Sequence, residues 1–192
     1  MTIVKLDENS FCVYAMNSQE VILVDENDNV IGSIEKMEAH LKGLLHRAFS
    51  IFIFNSKGEM LLQQRAMNKY HSAGLWSNTC CSHPYPGEET TLAALRRLNE
   101  EMGFRTSLEK IFDFTYNAPF KNGVTENEFD HAFAGEYEGE IKINAEEARD
   151  YSFKSMKEIE DELKKDPEKY TEWFKIAFPK IEDWWKERYG QL

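Results

Sequence analysis

The sequence has few cysteines, and the way they are placed excludes a disulfide-stabilised scaffold. There are three cysteines, an odd number, and Cys80 and Cys81 are adjacent. A reducing intracellular compartment fits this usage better than an oxidising one. Internal repeats, low-complexity tracts and a long Gly/Ser linker are also absent from the sequence. We therefore expect one continuous folded chain whose thiols stay reduced.

Basic residues are in short supply as well. The chain has 23 Lys and Arg against 34 Asp and Glu, a formal net charge of −11. Nucleic acids and anionic membranes are bound by clustered Lys and Arg, so neither is expected as a partner. An anionic small molecule would need a local basic pocket or metal ions.

Long apolar runs are missing too. None approaches the roughly 20 residues of a membrane span, and no basic segment followed by an apolar one opens the chain as a secretion signal would. We expect a cytoplasmic protein that is a monomer or a weak dimer.

The composition that remains is that of a folded domain. Hydrophobic residues make up 42% of the 192 residues and aromatic residues 13%. The pattern predicts hairpins over 20–36 and 47–65, a helix over 88–104 ended by Gly103, strands at 110–116 and 127–137, and two helices over 156–189 divided at Asp166–Pro167. This order predicts one α+β domain, 1–192, with a core at about 20–153 and a helical part at 155–189. Residues 1–19 are predicted to be a cover strand or a lid.

Residues with metal-ligand chemistry gather in short segments. They are His40 and His46, then Cys81 and His83 in NTCCSHPYPGEE, and Glu126 and Glu128 in TENEFD. Residues two apart in extended chain point to one side, and Arg97 and Glu101 share a helix face. Three imidazoles and a carboxylate pair suit a divalent ion with mixed nitrogen and oxygen ligands. The paired CxxC spacing of a structural zinc site is absent.

Each of these residues taken singly also has a structural interpretation. A histidine near a strand is more often a surface or core residue than a ligand, and two glutamates in a strand often form a solvated edge. His71, His131 and Asp130 are interpreted as structural, and so is Cys80. A dithiol redox pair is disfavoured because adjacent cysteines lack the two-residue spacer of a thioredoxin-like motif. The combination of segments is what indicates a site.

The combined segments resemble the Nudix-fold isopentenyl diphosphate isomerases. The resemblance is carried by LLHRAFSIFIF, LLQQRA, WSNTCCSHP, GEE and ENE, from about Lys36 to Glu128 and more weakly to Trp173. It implies a Nudix-type fold, with mixed sheets flanked by helices in a single domain. The implied activity is conversion of isopentenyl to dimethylallyl diphosphate by a metal-dependent 1,3-allylic shift, in which one proton is added and another is removed.

The Nudix box G-x5-E-x7-R-E-U-x-E-E-x-G-U, in which U is a bulky apolar residue, is present but degraded. It starts at Ser82, where the box has Gly, and runs through Glu88 and Arg96 to Phe104. Arg97 replaces a Glu that helps to hold the catalytic Mg²⁺ of Nudix hydrolases. This replacement counts against hydrolysis and suits binding of a diphosphate without cleavage.

The resemblance also implies a set of ligands. One divalent ion, Mn²⁺, Mg²⁺ or Zn²⁺, would be held by His40, His46, His83, Glu126 and Glu128. A second ion, Mg²⁺, would bridge the substrate diphosphate, the Glu101 carboxylate and the backbone carbonyl of Cys81. The basic side chains implied to grip the diphosphate are Lys36, Arg65, Lys69 and Arg97. A few cations and a metal focused in one cleft would let an acidic protein bind an anion.

Four side chains are implied to carry the chemistry. Cys81 and Glu128 match the two proton-transfer residues on opposite faces of the substrate, and the donor and acceptor roles are not divided between them. Tyr116 matches a tyrosine that hydrogen-bonds near that carboxylate. Trp173 matches an indole whose face stabilises the tertiary carbocation, although a core tryptophan has the same helical spacing.

Two other functions fit parts of the sequence. A Nudix diphosphohydrolase would use the same box, but the box is degraded. A non-catalytic module that binds a diphosphate or a metal would not need a thiol opposite a carboxylate. Cys81 therefore separates the isomerase from both alternatives.

Overall fold

The computed structural model of the chain describes residues 20–190, so the strand or lid predicted for 1–19 lies outside the described residues. Nine strands form a mixed sheet: β1 Glu20–Val24, β2 Val30–Glu35, β3 His46–Phe54, β4 Met60–Arg65, β5 Trp76–Ser77, β6 Cys80–Ser82, β7 Glu109–Pro119, β8 Thr125–Glu136 and β9 Ala148–Lys154. The helices are α1 Lys36–Lys42, α2 Thr90–Met102, α3 Met156–Lys165 and α4 Glu172–Tyr189, with a 3₁₀ turn at Pro167–Lys169. None of the helices within 20–190 has the length and apolarity needed to cross a bilayer.

Strand β3 is the centre of the sheet. It pairs in parallel with β8 along its whole length, from His46 opposite Glu128 to Phe54 opposite Glu136. Its other edge pairs antiparallel with β1, β6 and β4 in turn. Strand β7 continues the sheet beyond β8, and β9 and β5 flank β4. This arrangement confirms the predicted mixed sheet in a single α+β domain.

The two faces of β3 are covered by different helices, which is why its residues are apolar on both sides. Phe49, Ile51 and Ile53 face α2, where they pack with Ala94 and Leu98. The alternate residues face the opposite cluster, which includes the α4 aromatics. Both helices are thereby fixed against the strand that also begins at the buried His46.

Helix α2 confirms the predicted central helix, but its buried face differs from the predicted one at the first turn. Leu98 and Met102 are buried as the apolar spacing predicts, but Leu92 is exposed and the core side is completed by Ala93 and Ala94. The helix ends at Gly103 with φ +74°, where an added Cβ would collide with the carbonyl oxygen of Lys142. Glycine is therefore required both for the left-handed cap and for this close approach.

The predicted hairpins, the strands β7 and β8 and the break at Asp166 are confirmed within a few residues. The sequence pattern did not indicate α1, β5, β6 or β9. Helix α1 has only seven residues and β9 exposes Arg149, Asp150 and Tyr151, so neither carries a clear apolar period. Helix α1 nevertheless brings Lys36 and His40 to the site described next, and Glu147, directly before β9, also lines it.

Candidate active site

A cavity of about 160 Å³ opens beside β6, between β4, β8 and the start of α4. Every residue predicted from the sequence for catalysis, metal binding or diphosphate binding lines it, apart from His40 and His46. Those two are fully buried and lie against His83, with ring centroids 5.7 Å and 5.0 Å away. The fold therefore brings the whole predicted set into one place.

Four of the predicted ligands form a tight cluster. One ligand atom from each of His40, His46, His83 and Glu128 lies within 4.8 Å of the others. Helix α1 contributes His40, and the directly paired ends of β3 and β8 contribute His46 and Glu128. His83 follows β6 and places its Nε2 2.9 Å from Glu128 Oε1. Residues distant in sequence thus meet through the parallel β3–β8 register.

The protonation of two of these rings suits a cation. His40 Nδ1–H donates to the carbonyl of Lys36 at 2.6 Å, and His46 Nδ1–H donates to the carbonyl of Leu44 at 2.8 Å. Both Nε2 atoms are buried without a hydrogen-bond partner, and His46 Nε2 lies 3.5 Å from Glu128 Oε1. In the neutral form of each ring, this nitrogen carries the lone pair. Orphaned buried acceptors of this kind, fixed by backbone carbonyls behind them, fit a divalent ion.

The pKa shifts of His40, His83 and Glu128 favour the protonation states in which these side chains can bind a metal ion. Burial, helped by Lys36, lowers the pKa of His83 to about 3, and burial also lowers the pKa of His40. Burial alone would raise the pKa of Glu128, but the adjacent His46 and His83 rings hold it well below its usual range. His40 and His83 are therefore held as neutral imidazoles and Glu128 as an ionised carboxylate, the forms that metal ligation requires. Burial would lower the pKa of His46 as well, but the adjacent Glu128 raises it above its ordinary value.

Glu126, the fifth predicted ligand, lies beside this cluster with both oxygens engaged. The Tyr116 hydroxyl lies 2.9 Å from Glu126 Oε2 and 2.6 Å from Glu128 Oε2, and it donates to this carboxylate pair. Burial and the two glutamates raise the pKa of Tyr116 well above its ordinary value, so the phenol keeps its proton. The other oxygen, Glu126 Oε1, lies 2.9 Å from His71 Nε2.

His71 was predicted to be structural, but the structure places it in the cavity wall. Its position two residues after Lys69, inside the loop between two site segments, was the available signal. His131 and Asp130 lie outside the cavity lining: His131 bridges Asp28 and Asp113, and Asp130 accepts from Ser50.

The opposite end of the cavity is basic, and its charges are paired. The guanidinium nitrogen Nη2 of Arg97 lies 2.7 Å from Glu101 Oε1 and 2.8 Å from Glu147 Oε1. Lys69 forms an ion pair with the same Glu147. Gln63 donates to Glu101 Oε2 at 2.9 Å. Neither Glu147 nor Gln63 was singled out from the sequence, since a lone Glu or Gln in a strand or loop has no distinctive pattern.

Between the two ends, Cys81 and Trp173 form the walls. Cys81 is on β6, paired with Ser50, so it comes from the opposite side of β3 to Glu128. Burial raises the pKa of the Cys81 thiol, which keeps its proton. The neighbouring Cys80 packs in the α2 core, so the two sulfurs face different ways.

Trp173 is both a core residue and part of the cavity wall. Its side chain is buried in the α4 core and also lines the cavity. The indole Nε1–H donates to Ser77 Oγ at 2.9 Å, and the Arg65 guanidinium lies 5.1 Å from the ring centre. Lys36, the remaining predicted cation, has its pKa lowered by burial although Glu126 and Glu128 oppose the shift.

Two residues of the degraded Nudix box, Arg96 and Glu88, form an ion pair. Arg96 makes two hydrogen bonds to Glu88, at 2.8 Å and 2.7 Å, and its guanidinium covers the Tyr85 ring at 4.1 Å. This bidentate pair ties the loop after β6 to α2, because its partners lie on these two segments. The segment with Cys81 and His83 is thereby anchored to the helix with Arg97 and Glu101.

Comparisons with known proteins agree with this architecture. The NUDIX domain family matches residues 44–174. An isopentenyl-diphosphate Delta-isomerase of Pectobacterium atrosepticum is 52% identical over 167 residues, 87% of this chain and 93% of that protein. One of the same name from Serratia proteamaculans is 53% identical over 154 residues, 80% of this chain and 86% of that protein.

Solved structures show the same fold at much lower identity. A Deinococcus radiodurans crystal structure superposes with a TM-score of 0.63 at 17% identity, covering 77% of this chain and 90% of that chain. A MutT protein from Methanosarcina mazei gives a TM-score of 0.60 at 21% identity, covering 72% of this chain and 94% of that chain.

Proposed function

The chain belongs to the isopentenyl-diphosphate Delta-isomerases of the Nudix family, and we propose that it converts isopentenyl diphosphate to dimethylallyl diphosphate. One observation carries the assignment of roles. A protonated thiol, Cys81, and an ionised carboxylate, Glu128, line one buried cavity from opposite sides of β3. Moving a double bond needs a proton added to one carbon and a proton removed from another, and these two groups can do both.

The surroundings of Cys81 and Glu128 support these proton transfers. An unactivated alkene is a poor base, so the proton donor must work where water is excluded, and Cys81 is half-buried in the cavity wall. Tyr116 donates a hydrogen bond to the carboxylate pair and holds Glu128 in place. With the thiol protonated and the carboxylate ionised, Cys81 protonates the alkene and Glu128 accepts the second proton. The reverse direction, which starts from a Cys81 thiolate and a protonated Glu128, also stays in the proposal.

A carbocation forms between the two proton transfers, and we assign its stabilisation to the Trp173 indole. A cation over a desolvated indole is stabilised by about 2 kcal/mol or more. The hydrogen bond to Ser77 Oγ fixes the plane of this ring. Aromatic packing of α4 around it keeps water from capturing the cation as an alcohol.

The metal ligands in the proposal are His40, His46, His83, Glu126 and Glu128, with Mn²⁺, Mg²⁺ or Zn²⁺ as the ion. A bound divalent ion would supply a fixed positive charge that tunes the acidity of Glu128. The orphaned Nε2 atoms of His40 and His46 support this site. The second ion, Mg²⁺, is assigned to the substrate diphosphate, Glu101 and the Cys81 carbonyl.

The diphosphate is assigned to the basic end, where Lys36, Arg65, Lys69 and Arg97 line the cavity. Arginine forks match phosphate geometry, which supports Arg97 in the position where Nudix hydrolases carry a Glu. The working form in the proposal is a monomer or a weak dimer. The free thiols of Cys80 and Cys81 support a reducing, cytoplasmic compartment.

Proton and phosphorus NMR of isopentenyl diphosphate with the protein and Mg²⁺ in heavy water would test the proposal. We expect dimethylallyl diphosphate with deuterium in its methyl groups and the diphosphate intact. Free phosphate or pyrophosphate without isomerisation would instead establish a hydrolase. No reaction with Mg²⁺ or Mn²⁺ would overturn the proposal.

Replacing Cys81 separates the isomerase from its alternatives. We expect Cys81→Ala to lower kcat by about 10²- to 10⁴-fold, since a positioned acid or base contributes that much, while substrate still binds. Cys80→Ala is the matched control, because that thiol faces the α2 core. A hydrolase or a simple binding protein would lose little with Cys81→Ala, and an unchanged turnover would contradict the assigned role.

A further inference from the structure

His71 is a buried polar side chain of the cavity wall that belongs neither to the five proposed ligands nor to the diphosphate-binding cations. Its side chain is 4% exposed, and Nε2 lies 2.9 Å from Glu126 Oε1. An ionised carboxylate can only accept, so Nε2–H is the donor. Nδ1 then accepts from Ser72 Oγ, 3.2 Å away.

Three aromatic neighbours fix the plane of the His71 ring. It stacks on Phe120 with centroids 4.7 Å apart, and it meets Trp173 edge-to-face at 5.8 Å and 88°. Tyr70 packs against it at 4.5 Å in a second edge-to-face contact. The ring is therefore wedged between the carboxylate end of the cavity and the indole.

The backbone beside His71 is held in an uncommon conformation. Ser72 has φ +51°, in the left-handed region that residues other than glycine rarely adopt. This conformation accompanies the contact of the Ser72 hydroxyl with His71 Nδ1, which selects the tautomer that donates from Nε2. Backbone strain of this kind persists where the surrounding structure imposes it, and it concentrates at functional sites.

Glu126 depends on these contacts more than Glu128 does. Glu128 is oriented by His46 and His83, whereas Glu126 lies outside the four-residue cluster. Both carboxylates share the Tyr116 hydroxyl, and His71 is the further partner of Glu126 alone. A carboxylate oxygen that accepts one hydrogen bond keeps a further lone pair for a metal. Donors behind a ligand set its orientation and contribute to metal affinity.

We propose that His71 is a positioning residue that orients Glu126 toward the divalent ion and holds the edge of Trp173 in the cavity. This inference rests on the proposed function, because it takes Glu126 as a metal ligand. It adds a residue of the 66–75 loop to the support of the His/Glu site. His71 acts through Glu126 and Trp173 and is not assigned any contact with the substrate.

Mn²⁺ titration of the metal-stripped protein by calorimetry tests the inference without any turnover. We expect His71→Ala to weaken Mn²⁺ binding by about 10-fold or more, the range for residues that support a metal ligand. His71→Gln, whose amide N–H can replace the Nε2 donor, should recover most of the affinity. His71→Asn, one methylene shorter, should not.

His131→Gln is the matched control, since His131 is also a buried histidine between carboxylates but lies outside the cavity. It should bind Mn²⁺ as the wild type does. Steady-state kinetics give a second readout: His71→Ala should lower kcat with little change in KM. Of the proposed diphosphate-binding cations, Arg65 donates to the backbone carbonyl of His71 at 3.4 Å, and alanine keeps this carbonyl.

The outcomes separate the two proposals. A wild type that binds Mn²⁺ and isomerises, with His71→Ala equal to it in affinity and kcat, would overturn the positioning role alone. Lower thermal stability of His71→Ala, Gln and Asn alike, with wild-type Mn²⁺ affinity, would make His71 purely structural and also overturn it. A wild type that neither binds Mn²⁺ nor isomerises would overturn the proposed function itself. If His71→Ala does not fold, the Gln and Asn pair carries the test.

Discussion

The two ends of the cavity hold their charges in opposite ways. At the imidazole end, His40 and His46 turn buried nitrogen lone pairs inward and leave them without hydrogen-bond partners. At the basic end, Arg97 and Lys69 already form ion pairs with Glu101 and Glu147. The first end presents unpartnered nitrogen acceptors, whereas Arg97 and Lys69 at the second end already have carboxylate partners.

This contrast indicates how each end selects what it binds. Orphaned acceptors in a buried site are costly unless a cation satisfies them, so the imidazole end favours a resident ion. The basic end is partly solvated, with the Arg97 side chain 18% and that of Glu147 21% exposed. A ligand there must compete with existing ion pairs, which suits a substrate that enters and leaves.

The largest effect should come from breaking the imidazole end. We expect His46→Gln to weaken Mn²⁺ binding by more than about 100-fold, since it removes a direct ligand and exceeds the 10- to 100-fold range of supporting residues. Calorimetry on the metal-stripped protein measures it, with His131→Gln as the control. Retained affinity would mean that His46 is a core histidine.

A smaller effect is expected from removing the central cation of the basic end. Arg97→Gln should raise KM for the diphosphate about 10- to 100-fold with little change in kcat, because a charge-assisted hydrogen bond contributes about 1.5–3 kcal/mol. Arg105→Gln is the control, an exposed arginine just beyond the same helix. A fall in kcat at constant KM would assign Arg97 to the chemical step instead.

The smallest effect should come from removing the competing carboxylate. Glu147→Gln takes a negative charge away from Arg97 and Lys69 but acts in a partly solvated place, so we expect KM to fall by about fivefold or less. The exposed neighbour Glu146→Gln should leave KM unchanged. A rise in KM for Glu147→Gln would show that orienting the two cations outweighs neutralising them.

Local periodicity predicted the elements that have strong apolar faces. The helix with Leu98 and Met102 ended at Gly103 as predicted, and the hairpin turn between β3 and β4 was confirmed. Helix α1 escaped prediction because seven residues hold too few apolar positions to define a face. His40, which lies on it, was named as a candidate ligand from its residue type, without a prediction of the helix that carries it.

Local sequence patterns could not predict which residues distant in sequence lie next to each other in the fold. The spacing in TENEFD put Glu126 and Glu128 on one side of a strand, but the parallel register that sets Glu128 beside His46 is a property of the whole sheet. His71 was missed for the same reason. Its partner Glu126 comes from another strand, and its supporting contacts with Phe120 and Trp173 come from two further segments.

The direct pairing of His46 with Glu128 also affects how the chain folds. These residues are far apart in sequence, so a bond from each to one ion would close a long loop of chain. Loop closure costs conformational entropy, and a metal cross-link would offset part of it in the folded state. The β3–β8 ladder and the ion would then stabilise each other, so that cofactor binding and strand pairing form one cooperative equilibrium.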